Sequence, residues 1–227
     1  MTDRFAVMLF AAGLGTRMAP LTADRPKPLI KVAGRTLLDH ALDVTQVPDV
    51  NRRVVNVHYF ADMVRDHLVG RDVAISAEDP LLDTGGGLRH ALPLLGDSPV
   101  MTLNTDAIWR GPNPLTLLAR AWRPQMEALL LLVPKARVAG HTGKGDFRIG
   151  TDGRLTRAQD AIYTGAQIIR TDRMADMPQG AFSLNLMWDA MAARGGLYGV
   201  TYGGRWCDVG RPDSIPLAEA ILESTDV

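Results

Sequence analysis

The 227-residue chain has a single cysteine, Cys207, so no disulfide can close within it and a reducing compartment suits it. It has no net charge: 25 Lys and Arg balance 25 Asp and Glu, and both signs are scattered along the chain. A nucleic-acid or anionic-membrane surface needs clustered basic residues, so neither partner is expected, although a small basic pocket for phosphates stays open. No apolar segment approaches the roughly 18 residues of a membrane span. The start, Met1-Thr2-Asp3-Arg4, runs into a short apolar stretch without the basic opening and long apolar run of a secretory signal. A soluble, cytoplasmic protein is expected, and nothing in the sequence specifies an oligomeric state.

What is present is enough apolar material, 46% of residues, for a sizeable core in one α/β domain. Apolar runs suited to buried strands recur at Phe5–Phe10, Arg53–Val57, Val73–Ala77, Val100–Leu103 and Leu129–Val133. Helical spacing lies between them. Thr36 can cap a helix bearing Leu37, Leu38, Ala41 and Leu42, and Phe60–Leu68 and Gly85–Leu95 read as two more. This alternation implies crossovers and a mainly parallel sheet. After about Gly140 the pattern loosens. His141–Asp146 reads as a loop, Thr151-Asp152-Gly153 as a hairpin turn and Ala166–Ile169 as a strand. Phe182–Ala193 and Ser214–Leu222 read as helices, the last able to pack back on the first half. One domain over residues 1–227 is expected.

The loop after the first strand carries the strongest chemistry. In an open parallel sheet, ligands bind beyond the carboxyl ends of the strands. There Ala11-Ala12-Gly13-Leu14-Gly15-Thr16-Arg17 offers small residues whose backbone N–H groups can approach an anion. Arg17 adds a planar fork of donors and Lys27 a compact charge, fixed between Pro26 and Pro28. The loop is not the dinucleotide fingerprint, lacking its third glycine, nor a Walker A loop, lacking G-K-[ST].

The whole segment Leu9–Gly34 resembles the signature of the sugar-1-phosphate nucleotidyltransferases, L-x-A-G-x-G-T-R-x-x-P-L-T followed by P-K-P-L and G, with Lys31 where proline or alanine is frequent. The resemblance implies a Rossmann-like, GT-A-like three-layer sandwich with a mainly parallel, mixed sheet. It also implies a triphosphate held by Ala11, Ala12, Gly13, Gly15, Thr16 and Arg17, with Arg17 and Lys27 catalytic. About 1–110 would then form a nucleotide-binding half and about 111–227 a sugar-binding half.

Asp106 follows the strand Val100–Leu103 and therefore lies at a carboxyl end. Asp208 lies in Trp206-Cys207-Asp208-Val209-Gly210. A triphosphate reaction calls for a hard cation, usually Mg²⁺, which takes carboxylate and phosphate oxygens and keeps several waters. Leu103-Asn104-Thr105-Asp106 is similar to the family's L-x-G-D motif, with Thr105 replacing glycine and adding a side chain near the metal. Trp206–Gly210 is similar to its W-x-D-x-G segment. The resemblance implies Asp106 and Asp208 as the Mg²⁺ ligands.

Asp83-Thr84-Gly85-Gly86-Gly87 opens a helix that Thr84 can cap, and its N-terminus favours polar or anionic groups. It resembles the family's E-T-G-G-G segment beside the base and sugar. Gly143-Lys144-Gly145-Asp146-Phe147 looks like the G-x-G-D-F of a short subgroup, the N-acetylmuramate 1-phosphate uridylyltransferases. Gly165-Ala166-Gln167-Ile168 and the compact chain look like it too. That likeness implies UTP and N-acetylmuramate 1-phosphate as substrates, in cell-wall sugar recycling. Gly85 and Gly86 are expected on the nucleotide, and Asn56, Asp83, Thr84, Asn104, Asp146 and Gly165 on the sugar phosphate. The E-K-P triplet of thymidylyltransferases is absent, leaving Lys144 or Arg148 as candidates for the sugar-phosphate contact. His58 and Cys207 read as structural. Another hexose, heptose or choline phosphate, or a silent nucleotide-sugar sensor, stays open on these residues.

Overall fold

The computed structural model describes residues 4–140 and 143–224. In chain order the elements are β1 (Phe5–Phe10), β2 (Lys31–Val32), β3 (Arg35–Thr36), α1 (Leu37–Val44), β4 (Val50–Val57), α2 (Ala61–His67), β5 (Ala74–Ala77), α3 (Asp83–Leu95), β6 (Val100–Asn104) and β7 (Ala107–Arg110). Then follow α4 (Pro114–Ala121), β8 (Ala128–Pro134), β9 (Val138–Ala139), β10 (Phe147–Ile149), β11 (Leu155–Arg157), β12 (Ala161–Ile169), α5 (Leu184–Ala193), β13 (Leu197–Thr201), β14 (Arg205–Asp208) and α6 (Ser214–Glu223).

β5, β4, β1 and β6 run parallel in that order, with β1 and β6 at the centre largely apolar and buried on both faces and β5 at the edge. β12 then joins β6 antiparallel and carries the sheet onward to β10 and β11, while β8 and β13 pair beside it. The architecture is therefore the mainly parallel, mixed α/β sandwich expected. Strand faces alternate. Val7 and Leu9 pack with Leu38, Val64 and Leu118 on the side of α1, α2 and α4; Ala6 and Met8 pack with Leu88, Ala91, Leu184 and Trp188 on the side of α3 and α5.

A second, three-stranded sheet was not anticipated from the sequence. β14 lies between β7, antiparallel, and β9, parallel. α6 covers it, packing Ala218 and Ile221 onto Met18, Ile30, Leu37, Ile108 and Val209, so the last helix does return to the first half. The hairpin turn at Thr151–Gly153 joins β10 to β11 as expected. His141 and Thr142, part of the expected loop, lie outside the described residues.

Capping shows one agreement and one correction. Thr36 caps α1 by accepting from Asp39 N at 3.0 Å. Thr84 does not cap α3: it lies inside the helix, Leu82 occupies the N-cap position, and the Thr84 hydroxyl accepts from Leu184 N at 3.0 Å instead. The cause is tertiary, because the segment before α5 folds over the start of α3.

Candidate active site

A cavity of about 520 Å³ opens at the carboxyl ends of β1, β4 and β6. Ala11, Ala12, Gly13, Gly15, Thr16, Arg17, Lys27, Asn56, Asp83, Thr84, Asn104 and Asp106 all line it. Residues drawn from distant parts of the chain thus meet at the switch in an open sheet where ligands bind.

The first loop is built for close approach. Gly15 has φ +64°, and a Cβ there would lie 2.9 Å from Lys27 Cβ. Thr22, the threonine of the P-L-T string, donates its hydroxyl to Gly15 O at 3.1 Å and so ties the far end of the segment back to the loop. Among the described residues, the backbone N–H groups of Gly13, Leu14 and Gly15 donate to nothing in the chain, leaving them for an anion. Those of Ala11 and Ala12 are committed: Asn56 Oδ1 accepts both, at 2.7 and 3.3 Å. Arg17 is exposed on the loop.

Pro26 is extended at φ −74°, ψ 149°, and the next residues close a short 3-10 turn, Lys27–Leu29, with Pro28 buried. This turn points Lys27 into the cavity, where its Nζ meets Asp106 Oδ2 at 2.6 Å. Both side chains are largely covered, at 13% and 27% exposure, so the pair is more than a solvated surface contact. Thr105, placed where a glycine is usual, turns away. It is buried, and its hydroxyl donates to Phe10 O at 2.7 Å, latching the end of β6 to the end of β1. It therefore fixes the backbone that carries Asp106 instead of crowding the carboxylate.

β14 brings in Asp208. It pairs with Ala107, the neighbour of Asp106, and Val209 N donates to Asp106 O at 2.8 Å. Gly210 lines the cavity, whereas Asp208 itself does not; a Cβ on Gly210 would stand 3.1 Å from Asp208 Oδ1. Asp106 and Asp208 are thus joined through adjacent backbone, and no cluster of three or more acidic, His or Cys residues able to hold a metal occurs among the described residues.

Other expected residues lie elsewhere. Gly85 and Gly86 are buried at the start of α3, and both N–H groups donate to Phe182 O, at 2.8 and 3.1 Å. That helix N-terminus is therefore plugged by a protein carbonyl. Gly165, at φ +86°, abuts Asn104: a Cβ there would fall 2.6 Å from Asn104 Cβ. It marks an irregularity between Tyr163 and Gln167 that gives the Asn104 side chain its room. Asp146 is taken up by the sheet, accepting from Tyr163 N at 2.8 Å. Arg148 pairs with Asp160 on the surface, and neither it nor Lys144 lines the cavity. His58 bonds the backbone at Glu78 O, and Cys207 is buried. Glu78 and Ala181, which line the cavity, were not singled out from sequence. The signal for Glu78 was an acid placed directly after the carboxyl end of β5.

Residues 7–147 match the family model of the MobA-like NTP transferase domain. The chain belongs to this nucleotidyltransferase family. Within it, the chain is 43% identical to the N-acetylmuramate alpha-1-phosphate uridylyltransferase of Caulobacter vibrioides, over 95% of this chain and 96% of the relative. The namesake enzyme of Neisseria meningitidis is 28% identical over 94% of this chain and 96% of its own. The nucleotidyltransferase fold is shared with HddC from Yersinia pseudotuberculosis, whose crystal structure superposes with a TM-score of 0.78 at 21% identity, covering 96% of this chain and all 100% of that one. No helix among the described residues is long and apolar enough to cross a membrane.

Proposed function

We propose that this nucleotidyltransferase moves the uridylyl group of UTP to the phosphate of N-acetylmuramate α-1-phosphate, giving UDP-N-acetylmuramate and pyrophosphate, and serves cell-wall sugar recycling. The observation that carries the transfer chemistry is the cavity itself, where free loop amides, Lys27 and Asp106 converge. The substrates rest on the two full-length relatives named for that activity.

In this reading residues up to about 110 hold the nucleotide and those from about 111 complete the sugar side. The N–H groups of Gly13 to Gly15 and the Arg17 guanidinium bind the triphosphate. Asp83, Thr84 and Asn104 form the remaining wall, toward the sugar. Asp106 and Asp208 would hold Mg²⁺, which when bound supplies positive charge to phosphate oxygens. An oxygen of the sugar 1-phosphate attacks the α-phosphorus, a new P–O bond forms, and the bond to the bridging oxygen of pyrophosphate breaks. The attacking oxygen is already anionic near neutral pH, so no side chain need remove a proton. Lys27 neutralises charge that builds on the α-phosphoryl oxygens, and the loop keeps two mutually repelling anions in line.

The test is a panel of ATP, CTP, GTP and UTP against N-acetylmuramate, N-acetylglucosamine, mannose and heptose 1-phosphates, with phosphocholine included, read by pyrophosphate release with and without Mg²⁺. Release with UTP and N-acetylmuramate 1-phosphate far above every other pair is expected. Preference for a different pair would overturn the substrate assignment, and no release with any pair would overturn the transferase reading.

A further inference from the structure

Glu78 is 4% exposed, yet it lines a cavity suited to anions, where a carboxylate is electrostatically misplaced unless it serves another purpose. Its bonds show the purpose. Oε1 accepts from Asn56 Nδ2 at 2.7 Å, and Oε2 accepts from Leu82 N at 2.9 Å, just before α3. Asn56 in turn turns its Oδ1 to the N–H groups of Ala11 and Ala12. Gly87 makes the arrangement possible: a Cβ there would fall on Glu78 Oε1 and lie 3.1 Å from Asn56 Nδ2. One buried relay therefore spans the β1 loop, the end of β4, the end of β5 and the entry to α3.

We propose that Glu78 is a positioning residue that acts through Asn56 to set the distance between the phosphate-holding loop and the entry to α3, two walls of the cavity. Charge strengthens the bonds Glu78 accepts, and burial makes an unmet donor costly, so the relay has one low-energy arrangement. Its polarity is fixed: Asn56 must accept toward the loop and donate toward Glu78. The inference rests on the nucleotidyl-transfer reading of the cavity.

That polarity supplies the test. Glu78→Gln sets an amide N–H against a donor, either Asn56 Nδ2 or Leu82 N. Asn56→Asp sets two carboxylates against each other. The double variant restores every bond, because Gln at 78 can donate to Asp at 56 and still accept from Leu82 N. Each single change is expected to lower kcat/KM for the nucleoside triphosphate by roughly 10- to 100-fold, through KM. The double variant should return to within about threefold of the parent. Amide hydrogen exchange in the ligand-free enzyme should rise at Ala11, Ala12 and Leu82 in each single variant and fall back in the double. Circular dichroism confirms folding, and Glu78→Gln suffices if Asn56→Asp unfolds. Parent-like kinetics and exchange in Glu78→Gln, or a double variant no better than the product of its parts, would overturn the proposal. Exchange needs no substrate, so it decides the relay even if the substrate panel fails.

Discussion

Lys27 and Asp106 meet across the cavity, Nζ to Oδ2 at 2.6 Å, although one rides on a proline-braced turn after β1 and the other follows β6. The ammonium sits on a carboxylate proposed to hold Mg²⁺, so it marks where positive charge belongs when phosphates are absent. Under the proposed assignment, a metal held by that carboxylate would leave the ammonium for the α-phosphoryl group.

Replacement of Lys27 by alanine, or of Asp106 by alanine, should lower turnover by about 10²–10³, the scale for losing one preorganised charge stabiliser. The variants should keep the parent circular-dichroism spectrum. Near-parent pyrophosphate release from either folded variant would remove that residue from the mechanism.

Gly15→Ala should be worse than Gly13→Ala. The first imposes a side chain at φ +64° and presses on Lys27 Cβ, whereas a Cβ at Gly13 meets nothing within 4 Å. We expect Gly15→Ala to cost about 1 kcal/mol or more in denaturant unfolding and to lower kcat as Lys27 moves. Gly13→Ala should leave stability at the parent value.

Asp39 predicts an acid-sensitive link between α1 and α2. Its carboxylate meets Arg71 Nη1 at 2.6 Å and His67 Nε2 at 2.9 Å. Burial alone would raise its pKa, but hydrogen bonds with Thr36, His67 and Arg71 and the His67 charge outweigh burial and hold it well below the usual carboxylate range. A group depressed on folding stabilises above its unfolded value, 3.8, and loses that contribution as pH falls through the folded one. Asp39→Asn should therefore lower Tm by about 2–4 °C near neutral pH. Thermal scans should show the gap closing below roughly pH 3.

The Cys207 thiol is pushed up to about 12, by burial and then by the neighbouring Asp208 charge. Little thiolate exists at pH 8, so a thiol-specific reagent should leave the native enzyme unlabelled and react only after denaturation. Rapid native labelling would contradict the packing of α6 over β14.

The local parts of the site were legible in the sequence. Gly13-Leu14-Gly15, Arg17 and Lys27 lie in one continuous stretch, and strand ends placed Asp106 correctly. What failed was bookkeeping of donors. Gly85 and Gly86 look free in a glycine-rich helix start, but the carbonyl that claims them belongs to Phe182. Asn56 looks like a sugar contact, but both ends of its amide are used within the chain. Thr105 looks like an obstruction at the metal, but its hydroxyl has a carbonyl to reach in β1. Such partners are set by tertiary folding, not by residue type or spacing. The β7–β14–β9 sheet was hidden for the same reason, since its strands are short and far apart in the chain.

The late arrival of β14 bears on how the enzyme is made. A nascent chain that has left the ribosome only as far as β13 already contains the loop, Lys27 and Asp106, but not Asp208 or Gly210. Under the proposed ligand assignment, its metal site has a single carboxylate. A chain cut before β14 would therefore keep the loop, Lys27 and Asp106 but lose half of the proposed metal pair.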